Sequence, residues 1–285
     1  MIRTITATII ISIITAATVF SLPVGNIEVQ CKEREEEPWD IHAQSAVLID
    51  GENGRVLFGK NPDEKRSIAS TTKIMTCIIA LENSSPDDIV EVSSRAAAMP
   101  KVNMRTKAGE KYKMNDLLYA MMLESYNDVA VAIAEHISGS VENFAVLMNE
   151  KAVALGAYNT NFVTPNGLDA DNHYSTAYDM ALIGAYAIRE KRFLEIVNKK
   201  THSFNEMTGK RCIIVNNKNG FLGMESESIG IKTGFTGKAG YCFVGAVDNN
   251  GHRLISVVLG SGWPPNKTFK WNDTKRLIAY GRKHQ

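Results

Sequence analysis

The sequence has few of the residues that build metal centres, and those it has are scattered. It contains four cysteines and six histidines in 285 residues, with no Cys-x-x-Cys pair and no His-Glu-x-x-His spacing. Zinc sites need clustered ligands of these kinds, so we predict no metal and no cofactor. Cys77 and Cys242 lie in apolar runs, which favours buried free thiols over a disulfide.

The chain also lacks an excess of charge of either sign. Its 32 Lys and Arg residues and 31 Asp and Glu residues give a formal net charge of +1. Proteins that bind nucleic acids usually carry a clear basic surplus. No nucleic-acid partner is therefore expected.

Charge is missing from most of the first 30 residues. Arg3 is followed by the uncharged residues 4–26, which centre on an isoleucine-rich block. A basic start before an apolar block is typical of an export signal, so we predict a signal peptide within residues 1–30 and an extracytoplasmic protein at the cell wall. The stretch is also long enough to span a bilayer if it stays uncleaved. An N-terminal membrane anchor is the alternative.

The rest of the sequence predicts a linker and one folded domain. Residues 31–43 are mostly charged and indicate a solvated linker, and residues 44–285 form the predicted domain. Two apolar runs around an Asn-Gly pair predict a β-hairpin at residues 45–58. Apolar residues are then spaced mostly as in helices, up to about residue 199. Later elements are predicted strands at 211–215, 229–235, 241–247 and 254–259 and a helix at 265–282.

This order of elements predicts an α+β fold. The strands at both ends of the domain would share one antiparallel sheet covered by helices. An all-helical lobe, at about residues 75–200, would be inserted between them. Such an arrangement leaves a cleft between sheet and lobe, where a site could form.

A serine and a lysine open the helical region. Ser70 and Lys73 are separated by Thr71 and Thr72, just before an apolar segment. Hydroxyl residues in that position favour a helix start, and residues three apart on a helix lie on one face. Serine becomes a nucleophile when a base takes its proton, and lysine can do this if burial or a second cation keeps it neutral.

Two further triplets strengthen this interpretation. Ser125-Tyr126-Asn127 follows an apolar helical stretch, and Lys232-Thr233-Gly234 lies in a predicted edge strand. Each triplet alone is common. Ser-x-x-Lys, Ser-x-Asn and Lys-Thr-Gly in this order are the signature of penicillin-binding proteins and serine β-lactamases.

The residues on either side of the motifs extend the resemblance to one family. From about residue 44 to residue 282 the chain resembles the D-alanyl-D-alanine carboxypeptidases, low-molecular-weight penicillin-binding proteins with the penicillin-binding/β-lactamase fold. The stretches that carry the resemblance are Ala69-Ser70-Thr71-Thr72-Lys73-Ile74-Met75-Thr76, Asn166-Gly167-Leu168-Asp169, His173-Tyr174-Ser175-Thr176, Gly230-Ile231-Lys232-Thr233-Gly234 and Lys238-Ala239-Gly240-Tyr241-Cys242.

The resemblance implies a catalytic group of three residues. Ser70 would attack the carbonyl between two D-alanines of a peptidoglycan stem peptide and form an acyl-serine. Lys73 would be the general base, and Ser125 would relay the proton to the leaving amine. β-Lactam antibiotics would inhibit the enzyme by acylating the same serine.

The resemblance also implies a substrate-binding group. Asn127 would bind the substrate amide and hold Lys73, and Lys232 and Thr233 would bind the terminal carboxylate. The remaining two members lie further along the same strand: Gly234, which lets substrate backbone approach, and Phe235, whose backbone N–H would complete an oxyanion hole with that of Ser70. His173, Asp169 and Asp171 are interpreted as loop and turn residues.

Alternatives to the carboxypeptidase differ in the fate of the acyl-serine. A D,D-transpeptidase would pass the acyl group to an amine, which the sequence does not distinguish. A class A β-lactamase needs a Glu-x-x-Leu-Asn segment, and the sequence has none. An inactive peptidoglycan-binding module is disfavoured by the intact motifs. Many members of the family carry a C-terminal amphipathic anchor, but this sequence ends soon after its last predicted helix, so membrane contact is expected only through the N-terminal segment.

The missing Glu-x-x-Leu-Asn segment generates a first prediction. Benzylpenicillin should leave a long-lived penicilloyl adduct on the wild-type protein, because no glutamate activates a deacylating water. Intact-mass spectrometry should find the adduct on the wild type and none on Ser70→Ala. Rapid hydrolysis of penicillin without an adduct would instead indicate a β-lactamase.

Overall fold

The computed structural model describes residues 40–284. The predicted signal segment, residues 1–30, lies outside the described residues. So does most of the predicted linker, residues 31–43.

Strands lie on both sides of a mostly helical middle region, and a helix ends the described chain. The strands are β1 (Ser45–Asp50), β2 (Val56–Lys60), β3 (Ile89–Glu91), β4 (Lys111–Lys113), β5 (Thr201–Asn205), β6 (Cys212–Asn216), β7 (Ser228–Thr236), β8 (Gly240–Asn249) and β9 (His252–Leu259). The helices are α1 (Lys73–Asn83), α2 (Ser94–Ala97), α3 (Met114–Glu124), α4 (Asn127–Ser138), α5 (Val141–Ala154), α6 (Ala177–Ala187), α7 (Lys191–Asn198) and α8 (Phe269–Lys283).

One antiparallel sheet joins the two ends of the domain, as predicted. Its strand order is β2-β1-β9-β8-β7. The turn between β8 and β9 has positive φ at Asn250 (52°) and Gly251 (94°), the backbone that an Asn-Gly hairpin turn requires. Strand β7 forms one edge of this sheet, so its outer side is open toward the helical part.

Both faces of the sheet are covered. Along β1, Val47 and Ile49 belong to the large core shared with α1 and α6, whereas Ala46 and Leu48 pack with α8. Successive side chains of a strand point to opposite faces. Burial on both faces therefore explains why β1 is a continuous apolar run and not an alternating one.

The helical region is less uniform than predicted. Helices α1 to α7 account for most of residues 73–198, but β3 and β4 form a small sheet within it. The prediction of an all-helical lobe was therefore wrong in this detail. Each of these two strands has three residues and buries only its central one, Val90 or Tyr112. Strands of this length are too short for an apolar alternation to be recognised in the sequence.

Two predicted boundaries moved. The α-helix does not start at Ser70: residues 69–72 form a single 3₁₀ turn without a side-chain cap, and α1 begins at Lys73. The helical spacing that continued past residue 125 is interrupted by Ser125, whose φ is 70°. Both interruptions fall on motif residues, where the site needs a turn.

None of the helices formed by residues 40–284 combines the length and the apolar character needed to cross a membrane.

Candidate active site

Ser70 lies in a turn that is held by side-chain hydrogen bonds. The preceding residue, Ala69, has a φ of 47° and is almost fully buried. A non-glycine residue in this left-handed region costs roughly 1–3 kcal/mol and persists only where its surroundings hold it. Two threonines do so here, because Thr71 Oγ1 donates to the Ile68 carbonyl at 2.6 Å and Thr72 Oγ1 donates to the Ala69 carbonyl at 2.8 Å.

The amine of Lys73 is completely buried next to Ser70. Its Nζ lies 3.0 Å from Ser70 Oγ, 2.9 Å from Asn127 Oδ1 and 2.6 Å from the Asn166 carbonyl oxygen. No carboxylate among residues 40–284 is bonded to it. Two of these partners were expected from the motifs, and the third is a backbone carbonyl.

These three partners satisfy Lys73 in both protonation states. An ammonium would donate one proton to each oxygen. A neutral amine would donate to Asn127 and Asn166 and use its lone pair to accept the Ser70 hydroxyl proton. The amine can therefore take that proton without moving its side chain.

The surroundings favour the neutral amine. Burial lowers the pKa of Lys73 well below its usual range, and the charge of Lys232 acts in the same direction. Asp128 opposes this, but its carboxylate accepts from the backbone N–H groups of Met104 at 2.9 Å and Thr106 at 3.1 Å. The nearby negative charge thus fixes a loop and is not paired with the amine.

The second motif occupies the break between α3 and α4. Asn127 donates from its backbone N–H to the Val102 carbonyl at 2.7 Å and from Nδ2 to the Pro100 carbonyl at 3.3 Å. These bonds orient its side-chain oxygen toward Lys73. Ser125 Oγ is buried and has no hydrogen-bond partner among the described residues, so the structure places it in the motif turn without a bond to Lys73.

The third motif lies on edge strand β7, against the Ser70 turn. Lys232 is 2% exposed, and its Nζ donates to the Thr233 carbonyl at 3.2 Å. Burial lowers the pKa of Lys232 to about 7. A β-carbon at Gly234 would lie 2.9 Å from the Ser70 backbone nitrogen, so glycine is needed for the turn itself, in addition to the predicted approach of substrate.

Phe235 comes next on β7 and is partly exposed. Its side chain is 43% exposed and packs on Tyr241, with ring centroids 4.6 Å apart. Since Gly234 is in close contact with Ser70, the backbone of Phe235 lies directly after the point where β7 meets the nucleophile turn. This places the two predicted oxyanion donors on adjoining segments.

A loop between α5 and α6 completes the floor of the site. Asn166 lies in this loop and supplies the carbonyl that binds Lys73. A β-carbon on Gly167, whose φ is 80°, would lie 2.0 Å from the Ala69 carbonyl oxygen. Asp169 accepts a hydrogen bond from Thr236 Oγ1 at 3.0 Å, and therefore ties the loop to the end of β7.

The roles of this loop were not apparent from sequence. Asn166 acts through its backbone, which its residue type does not reveal. Asp169 was interpreted as a turn residue, but it binds across to β7. His173 was interpreted as loop structure and is in fact buried, bonded to Thr72. The resemblance of residues 166–176 to the family indicated that this segment was important. It did not indicate which residues the segment contacts.

Comparison with known proteins identifies the family. Residues 31–262 match the D-alanyl-D-alanine carboxypeptidase family. The chain belongs to this family. DacF of Bacillus subtilis (strain 168) is 36% identical over 230 residues, covering 79% of this chain and 59% of that protein. DacA of Escherichia coli (strain K12) is 37% identical over 256 residues, covering 85% of this chain and 61% of that protein. Both are named D-alanyl-D-alanine carboxypeptidases, and this chain spans about three fifths of their length.

Solved structures confirm the predicted fold class. The Streptomyces K15 DD-transpeptidase matches with a TM-score of 0.79 at 30% identity, covering 85% of this chain and 98% of that one. The D-alanyl-D-alanine carboxypeptidase of Mycobacterium tuberculosis H37Rv matches with a TM-score of 0.79 at 29% identity, covering 85% and 91%.

Gly167 gives a second prediction, with Gly139 as its matched control. Both have nearly the same φ, 80° and 78°, but a β-carbon at Gly139 would meet nothing within 4 Å. Gly167→Ala should therefore lower the free energy of unfolding by about 1–3 kcal/mol more than Gly139→Ala, because it alone drives a carbon into the Ser70 turn.

Urea unfolding of both variants measures this difference. Equal losses of stability would mean that the loop can withdraw from Ala69 at no cost. In that case Gly167 would not be needed for the contact between the loop and the turn.

Proposed function

We propose that this chain is a serine-type D-alanyl-D-alanine carboxypeptidase that removes the terminal D-alanine from peptidoglycan stem pentapeptides. The observation that carries the proposal is the 3.0 Å hydrogen bond between Ser70 Oγ and a fully buried Lys73 amine. Burial favours the neutral form of this amine, and a neutral lysine amine can take the proton of a serine hydroxyl. Family membership supplies the substrate class.

Acylation begins at Ser70. Its oxygen attacks the carbonyl carbon of the penultimate D-alanine while its proton passes to Lys73 Nζ. The backbone N–H groups of Ser70 and Phe235 stabilise the resulting oxyanion, and removal of one such donor commonly costs about 3 kcal/mol in the barrier. The C–N bond then breaks, and the Lys73 ammonium gives its proton to the leaving amine of D-alanine, with the Ser125 hydroxyl as the proposed relay, so that Lys73 is neutral again.

The Ser125 hydroxyl has no hydrogen-bond partner among residues 40–284, which supports its part in this transfer. A buried hydroxyl without a partner is unfavourable. Substrate would supply the missing hydrogen bond when it enters. Asn127 holds the amine of Lys73 in place and offers its amide to the substrate.

The terminal carboxylate of the substrate binds Lys232 and Thr233. A lysine with a pKa near 7 is only partly charged near neutral pH. An approaching carboxylate raises that pKa, because an opposite charge favours the ammonium. Substrate therefore holds Lys232 as an ammonium that is paired with the carboxylate.

Water completes the cycle by attacking the acyl-serine. Lys73 takes a proton from the water and returns it to Ser70 as the ester breaks. β-Lactams acylate Ser70 in the same way, but their acyl-serine is hydrolysed slowly, so they inhibit the enzyme. The peptidoglycan stem peptide and β-lactams are the proposed partners.

Transpeptidation is the second candidate. The Streptomyces K15 structure compared above is named a DD-transpeptidase. A relative from Streptomyces sp. (strain K15), 32% identical over 257 residues, is named a D-alanyl-D-alanine carboxypeptidase. The acyl-serine is common to both reactions, and the acceptor decides between them. We favour water because the two relatives compared above both carry the carboxypeptidase name.

Export is part of the proposal. Peptidoglycan lies outside the cytoplasmic membrane, and the apolar N-terminal segment of the sequence is typical of exported proteins. The enzyme would work at the cell wall, either secreted or held by that segment. The sequence motifs and the substrate class support the same location.

Recognition of the carboxylate gives a third prediction. For a diacyl-L-Lys-D-Ala-D-Ala peptide, conversion of the terminal carboxylate to an amide should lower kcat/KM roughly 10- to 100-fold, the worth of a hydrogen bond to a charged group. The effect should be small in Lys232→Gln. The measurement is release of D-alanine from the acid and of D-alaninamide from the amide, and added glycine as an acceptor reports any transpeptidation.

Ser70→Ala is the control and should release no D-alanine. Equal rates on the acid and the amide with the wild type would contradict carboxylate recognition. Acyl transfer to glycine that exceeds hydrolysis would replace the carboxypeptidase by the transpeptidase.

A further inference from the structure

A histidine is buried directly behind the Ser70 turn. His173 precedes α6, is 5% exposed and makes an edge contact with Phe162, with ring centroids 6.0 Å apart. It is not a member of any of the three motifs. A buried imidazole is stable only if both ring nitrogens have partners, and the identity of these partners shows what the ring does.

The partners fix the tautomer of His173. Its Nδ1 lies 3.0 Å from the Val163 backbone nitrogen and 3.4 Å from that of Thr164. Both are N–H donors, so Nδ1 must accept. Burial lowers the pKa of His173 to about 4, so the ring is neutral at physiological pH. The proton of the neutral ring is therefore on Nε2.

From Nε2 the hydrogen bonds run to the nucleophile turn in one direction only. Nε2–H donates to Thr72 Oγ1 at 2.9 Å, and the single proton of Thr72 Oγ1 donates to the Ala69 carbonyl at 2.8 Å. Thr72 is completely buried, so water does not replace either bond. The series thus links the loop backbone, His173, Thr72 and Ala69.

The last two residues of this series are the chain neighbours of Ser70 and Lys73. Ala69 holds the left-handed φ of 47° immediately before Ser70, and Thr72 immediately precedes Lys73. A shift of the Ala69 carbonyl would rotate the peptide that carries the Ser70 backbone N–H. It would therefore move a proposed oxyanion donor together with the nucleophile.

We propose that His173 is a positioning residue for Ser70: through Thr72 it fixes the Ala69 carbonyl and thereby the turn that presents the Ser70 hydroxyl to Lys73. This inference rests on the proposed function, since acylation of Ser70 is what reports its position. His173 touches no reacting atom and takes no proton in the reaction.

Two amide substitutions separate the two halves of the imidazole. The side-chain amide of Gln can place a donor where Nε2 lies, so His173→Gln keeps the bond to Thr72 and loses the Nδ1 acceptor. His173→Asn keeps an acceptor for Val163 and loses Thr72. Thr72→Val and Thr72→Ser form an independent pair, in which only serine keeps the hydroxyl.

Acylation by a fluorescent penicillin, monitored by stopped flow, gives the rate constant and the dissociation constant of the preceding complex. We expect His173→Asn and Thr72→Val to slow the rate constant roughly 10- to 100-fold, the scale of a displaced reacting group. The dissociation constant should stay within about threefold. His173→Gln and Thr72→Ser should stay within about threefold of the wild-type rate constant.

Thermal unfolding shows whether the variants are folded. If His173→Asn does not fold, the Thr72 pair decides alone. Equal rate constants for Val and Ser at position 72 would overturn the inference, as would equal slowing by Asn and Gln at position 173, because loop support would then be sufficient. If the wild type itself is not acylated, the proposed function fails and this inference with it.

Discussion

The amine of Lys73 is buried, and no carboxylate of residues 40–284 pairs with it. Taking an ammonium out of water is costly, and a buried lysine commonly becomes neutral instead. Lys73 is held by two acceptors and one hydroxyl, a set that suits the neutral amine. The side chain of Asp128, a negative charge close to the second motif, is committed to loop N–H groups. The absence of a paired carboxylate among residues 40–284 suits the proposed role of Lys73 as a base.

The fold serves this arrangement from three directions. Helix α1 presents Lys73, the break between α3 and α4 presents Asn127, and edge strand β7 brings the second buried lysine, Lys232. Because β7 is the last strand of the sheet, its outer side faces the helical region and not another strand. The loop before α6 closes the remaining side with a backbone carbonyl and with Gly167, which has no side chain to keep it from Ala69.

Much of this could be predicted from the sequence because the information is local. The features that were predicted depend on residues that are neighbours in the chain. They are a hairpin at an Asn-Gly pair, the long apolar strands and the three motifs. The resemblance to the family then supplied the expected arrangement of these elements.

The features that were not predicted depend on contacts between residues that are distant in the chain. The carbonyl of Asn166 contributes an atom that every residue possesses, and His173 and Asp169 gain their roles from partners 101 and 67 residues away. The left-handed Ala69 and Ser125 are likewise set by packing, since neither residue type favours that backbone region.

The pKa of the Lys73 amine is the measurement that decides whether Lys73 can act as a base. NMR titration of the wild-type protein with ¹⁵N-labelled lysine side chains, with the Nζ resonance assigned by Lys73→Arg, would measure it without substrate. We expect a midpoint far below the ordinary lysine value of about 10.4, with exposed lysines of the same protein as internal reference. A midpoint at the ordinary value would mean that Lys73 is an ammonium in the resting enzyme, and it could not then be the base that activates Ser70.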